Sequence, residues 1–159
     1  MRVVVQRVSS AAVRVDGEII SEMGRGLCVL LGINRNDTEA SIEPVVKKLL
    51  SMKLFEDAET NQPWKHSVTS LNLDLMIISQ FTLDAYFKGA KPDFHNAMGG
   101  DQAKAIFDKI LARAAELHPK KSEGVKTGRF GADMKVSLTN DGPVTIIWDH
   151  PKKEEKSKN

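Results

Sequence analysis

One cysteine, Cys28, is the only thiol in the 159-residue chain. A single thiol excludes an intrachain disulfide and suits the cytoplasm, the expected location. Cys28 sits inside Leu27-Cys28-Val29-Leu30-Leu31 and reads as a small buried hydrophobe, not a nucleophile. No stretch approaches the roughly 18 apolar residues of a membrane span. The first residues alternate apolar and polar with no signal-peptide core, so no membrane association is expected. Net charge is only +2, too little to mark a nucleic-acid binder by itself, although local basic patches remain open. The histidines His66, His95, His118 and His150 are scattered and read as solvated or locally bonded side chains. With one cysteine they give no zinc spacing, and neither a metal nor a cofactor is expected. No glycine-rich phosphate loop follows a strand, and Ser79 does not stand in a Gly-x-Ser-x-Gly elbow.

What is present is an ordinary globular composition, 41% hydrophobic and 28% charged. One domain is expected over residues 1–150, followed by a charged, disordered tail at 151–159. β-Branched runs predict strands at 2–8 and 10–15. Asp16-Gly17 predicts a hairpin turn into a strand at 18–21. Residues 27–33 are nearly all apolar, as in a strand buried on both faces. A helix should follow, capped by Asn36, Asp37 or Thr38, with Ile42, Val45, Val46, Leu49 and Leu50 as its inward stripe. Residues 55–70 read as a loop or small hairpin. A strand over 71–83 has Leu75-Met76-Ile77-Ile78 as its buried part, and 84–99 reads as a long loop. Ala103, Ile106, Phe107, Ile110, Leu111, Ala114 and Leu117 predict a second helix from a cap at Asp101 to the His118-Pro119 stop. Residues 120–130 form a basic, glycine-bearing loop, and strands at 132–139 and 143–149 close the chain. The fold class is therefore α/β, a single domain of mixed β-sheets in barrel-like layers with two helices, in the order β-β-β-β-α-β-α-β-β.

Two stretches stand out for function. Asn140-Asp141-Gly142-Pro143-Val144-Thr145 lies between an alternating run (Met134, Val136, Leu138) and the β-branched run into Trp148. Asn-Asp-Gly there predicts a hairpin turn, and Pro143 the first position of a strand, an edge or a bulge. Ser79-Gln80-Phe81-Thr82-Leu83 emerges at the C-terminal end of a buried strand, before a long loop, which is a common way to build a site.

Together these motifs resemble those of the D-aminoacyl-tRNA deacylases, the D-Tyr-tRNA deacylase family. The resemblance extends to Lys88-Gly89, Lys91-Pro92-Asp93-Phe94, the run from Gly128 to Met134, and the opening Arg2-Val3-Val4-Val5-Gln6-Arg7-Val8. It covers residues 1 to about 149. It implies a homodimer with active sites at the subunit interface that hydrolyses the ester of D-aminoacyl-tRNA, releasing the D-amino acid. It also implies a cis Gly142-Pro143 peptide that reaches into the partner's site, facing Ser79, Gln80, Phe81 and Thr82. Parallel carbonyls of a cis peptide could grip the α-ammonium group, and an L side chain would then clash with the Gly-Pro backbone. Glycine would not be excluded, so glycyl-tRNA is an expected second substrate.

Little side-chain chemistry is then required. Backbone N–H groups around residues 80–82 are the expected oxyanion donors, with Thr82 a nucleophile or water positioner. Phe81 and Phe130 would stack on or wall in the terminal adenine; Met134 would line the same pocket or belong to the core. Arg7 is either a surface arginine or a brace on the Gly-Pro loop. Lys88, Lys91 and Arg129, with Lys120, Lys121 and Lys126, are the expected tRNA phosphate contacts. Three rivals stay open: a non-enzymatic nucleic-acid-binding dimer on the same fold, a deacylase of altered chirality with a trans Gly-Pro, and a threonine-nucleophile esterase.

Overall fold

Strand β1 (Arg2–Val15) is the backbone of the architecture, with partners along both edges. The structure, a computed structural model, describes residues 1–151. The expected tail at 151–159 therefore lies, but for its first residue, outside the described residues. Along one edge β1 pairs antiparallel with β3 (Gly26–Gly32) through its first half and with β2 (Glu18–Met23) through its second. Along the other edge it pairs with β8 (Lys135–Asp149) for nearly its whole length. Strands β4 (Asp74–Ser79) and β7 (Val125–Thr127) extend the sheet in parallel from β3. A separate hairpin, β5 (Tyr86–Lys88) and β6 (Lys91–Asp93), follows β4. The helices are α1 (Ile42–Ser51) and α2 (Gly100–Leu117).

The sheet curls because β1 bends, giving two cores on opposite faces of β3 and β4. Val3 and Val5 pack with Leu27, Val29, Leu31, Leu75, Ile77 and the helices. Val8, Ala11 and Val13 pack with Met23, Cys28, Met76 and Ile78. Odd and even positions of β3 and β4 are thus both buried, which is why residues 27–33 read as a continuous apolar run. Burial pushes the Cys28 thiol up to about 11, so it is neutral at pH 7 and serves as packing. The expected α/β class with a barrel-like sheet and two helices holds. Among the described residues no helix is long and apolar enough to cross a membrane.

The element order differs from the expected one at both ends. The strands at 2–8 and 10–15 are one strand, whose irregularities between Gln6 and Ser10 mimic a break. The hairpin expected at residues 140–142 does not form either; β8 runs straight through. Opposite the single residue Arg7 it carries four, residues 141–144, which bulge out of the ladder. Gly142, at φ 64°, uses its conformational freedom for this bulge, not for a reversal. Residues 120–130, expected as loop, contain β7, and residues 84–99 contain β5 and β6. Asp16 (φ 50°) and Gly17 (φ 80°) make the expected turn between β1 and β2.

Both helices bury the stripes their spacing predicts: Val45, Val46, Leu49 and Leu50 on α1, and Ala103, Ile106, Phe107, Ile110 and Ala114 on α2, while Leu117 is exposed. Their caps differ. Gly99 caps α2 and Ser41 caps α1, neither through its side chain, and Asp101 falls in the first turn of α2. His118 is fully buried at the end of α2; its Nε2 meets the Leu73 carbonyl at 2.9 Å and its Nδ1 accepts from the Lys120 N–H. A Cβ at Gly124 would stand 2.1 Å from that ring, so glycine there lets β7 close onto α2.

The helices are clamped by Arg113, which donates to both Glu43 carboxylate oxygens at 2.7 and 3.0 Å. Arg113, then Lys47, holds the Glu43 carboxyl down at about 2 from an ordinary 4.5. A depressed carboxylate contributes stability above its unfolded value and loses it as pH falls toward the folded one. The pair is partly exposed, so the contribution is small. The melting-temperature difference between Glu43→Gln and wild type should therefore be constant above pH ~5, shrink as pH falls, and approach zero only as pH passes below ~2, as read by thermal denaturation across that range.

Candidate active site

The apolar run of β4 ends at Ser79, and the chain leaves the sheet through Gln80 into a 3-10 turn at Phe81–Asp84. That turn sits on β3 because Gly32 has no side chain: a Cβ there would meet the Leu83 Cβ at 2.9 Å and the Gln80 carbonyl at 3.0 Å. Next to it, at the C-terminal ends of the parallel strands, lies a cleft of about 620 Å³. Its walls are Leu31 of β3 and Ile33 just after it, Ile78 and Ser79 of β4, the start of α2, and the segment between β7 and β8. Ser79, Gln80, Phe81, Phe130 and Met134 all line it. The Phe130 ring is anchored from behind by Phe107, ring centroids 5.7 Å apart. Gly128 lets Met134 lie over it, since a Cβ would stand 2.4 Å from the sulfur.

Backbone donors here are not equivalent. The Gln80 N–H donates to the Leu31 carbonyl at 2.8 Å, so it is committed to the sheet and cannot serve as the expected oxyanion donor. Phe81 and Thr82 open the 3-10 turn, where first N–H groups have no intrahelical acceptor, and these two are the available donors. The Thr82 hydroxyl accepts from Gln80 Nε2 at 2.5 Å. An amide N–H cannot remove a proton, so this contact positions Thr82 without activating it as a nucleophile.

Thr82 itself is exposed and does not line the cleft. Arg129 is exposed beside Phe130. Lys88 and Lys91 line a second groove on the β5–β6 hairpin. Arg7, Gly142 and Pro143 stand apart from the cleft lining, on the β1–β8 bulge. Arg7 Nε donates to the Asp141 carbonyl at 2.8 Å and Nη1 to the Leu54 carbonyl at 2.7 Å, tying the bulge to residue 54. The Gly142-Pro143 peptide is not cis: the only cis bond among the described residues is His150-Pro151. X-Pro peptides prefer trans by about 0.5–1 kcal/mol, and the bulge leaves Gly142 and Pro143 exposed, with nothing in the single chain to reverse that preference. The parallel-carbonyl grip expected of a cis peptide is therefore absent.

A sequence model of the family described as D-Tyr-tRNA(Tyr) deacylase matches residues 4–149. The chain belongs to that family. D-aminoacyl-tRNA deacylase 1 of Homo sapiens is 45% identical over 151 residues, covering 95% of this chain and 71% of that protein. D-aminoacyl-tRNA deacylase of Drosophila melanogaster is 44% identical, covering 98% of this chain and 96% of the relative. Among solved structures, c-Myc DNA Unwinding Element Binding Protein superposes with a TM-score of 0.90 at 45% identity, covering 96% of this chain and all of that one. A probable eukaryotic D-amino acid tRNA deacylase superposes at 0.76 with 22% identity, over 92% of this chain and 97% of that one, a likeness of fold alone.

In this deacylase-family chain, two further residues belong to the site region: Phe94, which the motif run 91–94 marked without a role, and Arg25, which carries no local signal. Phe94 lines the cleft and meets Phe81 edge-on, centroids 5.2 Å apart at 73°. Arg25, in a Gly-Arg-Gly break, donates to Asp141 Oδ2 at 3.3 Å and to Glu56 Oε1 at 2.5 Å, and its guanidinium lies 5.2 Å from the Phe55 ring centre. Glu56 is held below the usual carboxylate range by its own backbone N–H and then by Arg25. Arg7 and Arg25 thus brace the bulge from two sides. A Cβ on Gly142 would stand 3.1 Å from Arg7 Nη2, at a φ that L side chains avoid. Gly142→Ala should cost ~1–2 kcal/mol in urea unfolding, and less when Arg7 is already alanine, because only the backbone strain then remains.

Proposed function

We propose that this protein hydrolyses the ester of D-aminoacyl-tRNA, releasing the free D-amino acid, and that it accepts glycyl-tRNA as well. The reading rests on one observation: the cleft at the strand ends joins the backbone donor of Phe81, with that of Thr82 next to it at the edge of the lining, to an aromatic wall at Phe81 and Phe130. Phe81 is 57% exposed, so its ring is free to receive a base. Water attacks the ester carbonyl carbon, forming a new C–O bond. The resulting oxyanion is held by the Phe81 and Thr82 N–H groups. Collapse breaks the bond to the ribose oxygen, which takes up the proton lost by the water. An aminoacyl ester is already activated, so orientation and oxyanion stabilisation suffice. Ser79 and Gln80 shape the water and ester positions, Met134 the adenosine wall, and Arg129 the approach of the phosphate backbone.

Chirality is set by exclusion. Gly142 and Pro143 project from the bulge of one chain, away from its own cleft, and in a homodimer they close the cleft of the partner. The trans Gly142-Pro143 peptide offers no paired carbonyls to grip the α-ammonium group, so rejection of the L ester rests on the bulk of that backbone at the mouth of the partner's cleft, which a D side chain or a glycine avoids. Support for the dimer comes from β8. It is an edge strand of 15 residues whose one strand partner among the described residues is β1, and it exposes Val136, Ile146 and Ile147, the last at 67%. A long apolar edge of that kind is a pairing surface. The cytoplasm, where aminoacyl-tRNA is made and used, is the proposed location.

Purified enzyme mixed with D-Tyr-tRNA, L-Tyr-tRNA and Gly-tRNA should deacylate the first and last and spare the L ester. A binding-only role is favoured by one fact, the relative named for DNA binding, and would leave all three esters intact. Thr82→Ala should keep at least about a tenth of kcat, whereas loss of a covalent nucleophile would cost about 10³-fold or more.

A further inference from the structure

The β5–β6 hairpin carries an unresolved electrostatic conflict. Lys88 and Lys91 face each other across the pair that closes its turn, where Gly89 has φ 63°. Like charges directly opposite each other in a hairpin are destabilising. Asp93 relieves half of this. Its side chain is only 11% exposed; one oxygen lies 3.0 Å from Lys88 Nζ, and the other 2.6 Å from His95 Nδ1 and 2.9 Å from the His95 N–H. Lys88 also lies 5.4 Å from the Tyr86 ring centre. Asp93 is thereby fully used, fixing Lys88 and His95 in place. Lys91 is exposed and has no ion-pair partner among the described residues. The result is a groove of about 580 Å³ lined by Lys88, Lys91, Pro92, Asp93, Phe94 and His95, with one positive charge uncompensated.

This groove is continuous with the cleft. Phe94 lines both, and its ring abuts Phe81. An anionic polymer whose last unit lies in the cleft must pass over Phe94 to leave by this side. From this continuity we infer that the hairpin groove is a subsite for the nucleotide preceding the terminal adenosine of single-stranded tRNA: Lys88 and Lys91 take the phosphodiester, and Phe94 and Pro92 take the base. The inference rests on the ester-hydrolase reading for its substrate, and it adds a second recognition step. The cleft reads the esterified nucleoside, and the groove reads the strand that carries it. Flat contacts of this kind tolerate any base, and the phosphate contact makes the gain salt-dependent.

The test uses two small esters, D-tyrosyl-adenosine and D-tyrosyl-CpA. The readout is the ratio of kcat/KM for CpA to that for adenosine. A folding defect lowers both arms and leaves the ratio alone. The full-length protein should show a ratio of about tenfold or more at low salt, falling as salt rises. Lys88→Glu and Lys91→Glu should bring the ratio close to one, while Lys47→Glu, exposed on α1 and outside the lining of both the cleft and the groove, should keep it. A wild-type ratio near one, or a ratio indifferent to both hairpin reversals, overturns the subsite. If neither ester is cleaved, the hydrolase reading fails separately. Fluorescence anisotropy of a labelled, uncharged CpCpA oligonucleotide with the same variants then decides the groove: loss of binding in the hairpin variants supports it, and unchanged binding overturns it.

Discussion

The fold depends on a mismatch in one ladder. β1 and β8 pair over almost their full lengths, but at one point four residues of β8 stand opposite Arg7 alone. That surplus bends the pair and throws Gly142 and Pro143 out of the sheet. Where the alternation of β1 would place another valine after Val3 and Val5, it places an arginine. Its guanidinium supplies the donors that the displaced Asp141 carbonyl and the Leu54 carbonyl need. Without a charged donor group these carbonyls would lack partners in a half-buried place, which costs more than an ordinary hydrogen bond gains. The bend in turn separates the two cores on the faces of β3 and β4.

The division of labour follows from that geometry. The parallel strands β3, β4 and β7 present their C-terminal ends to the cleft, and the antiparallel pair β1–β8 presents a rigid projection elsewhere. One chain thus carries a cleft and, outside the lining of that cleft, an exposed bulge.

Much of this is legible in the sequence where burial alone decides. The run 27–33, the stripes of α1 and α2, and the Asp16-Gly17 turn are set by local pattern, and they form as the pattern requires. The cleft gathers residues 79–81, 130 and 134, which the motifs had marked. Illegible are features decided by a distant partner. Asn-Asp-Gly has the chemistry of a turn, but the open edge of β1 makes it a bulge. Ser9-Ser10 looks like a break, yet pairing of Val8 and Ser10 with β8 carries β1 across it. Arg25 reads as a loop residue because its partner Asp141 lies 116 positions away. β7 and the β5–β6 hairpin have three residues per strand, too few for alternation to register. The trans Gly142-Pro143 peptide has no signature in composition at all.

The same β1–β8 ladder has a kinetic meaning. Arg2 meets Asp149 through paired hydrogen bonds between residues 147 positions apart. Contacts of such sequence separation are slow to form, because the closing entropy must be met before any of their energy is gained. During synthesis, at about 5–20 residues per second, β1 therefore waits with one edge bare until nearly the whole chain has left the ribosome. The first strand made is completed by the last. The bulge bearing Gly142 and Pro143 can take shape only once β8 has been made and has paired with β1.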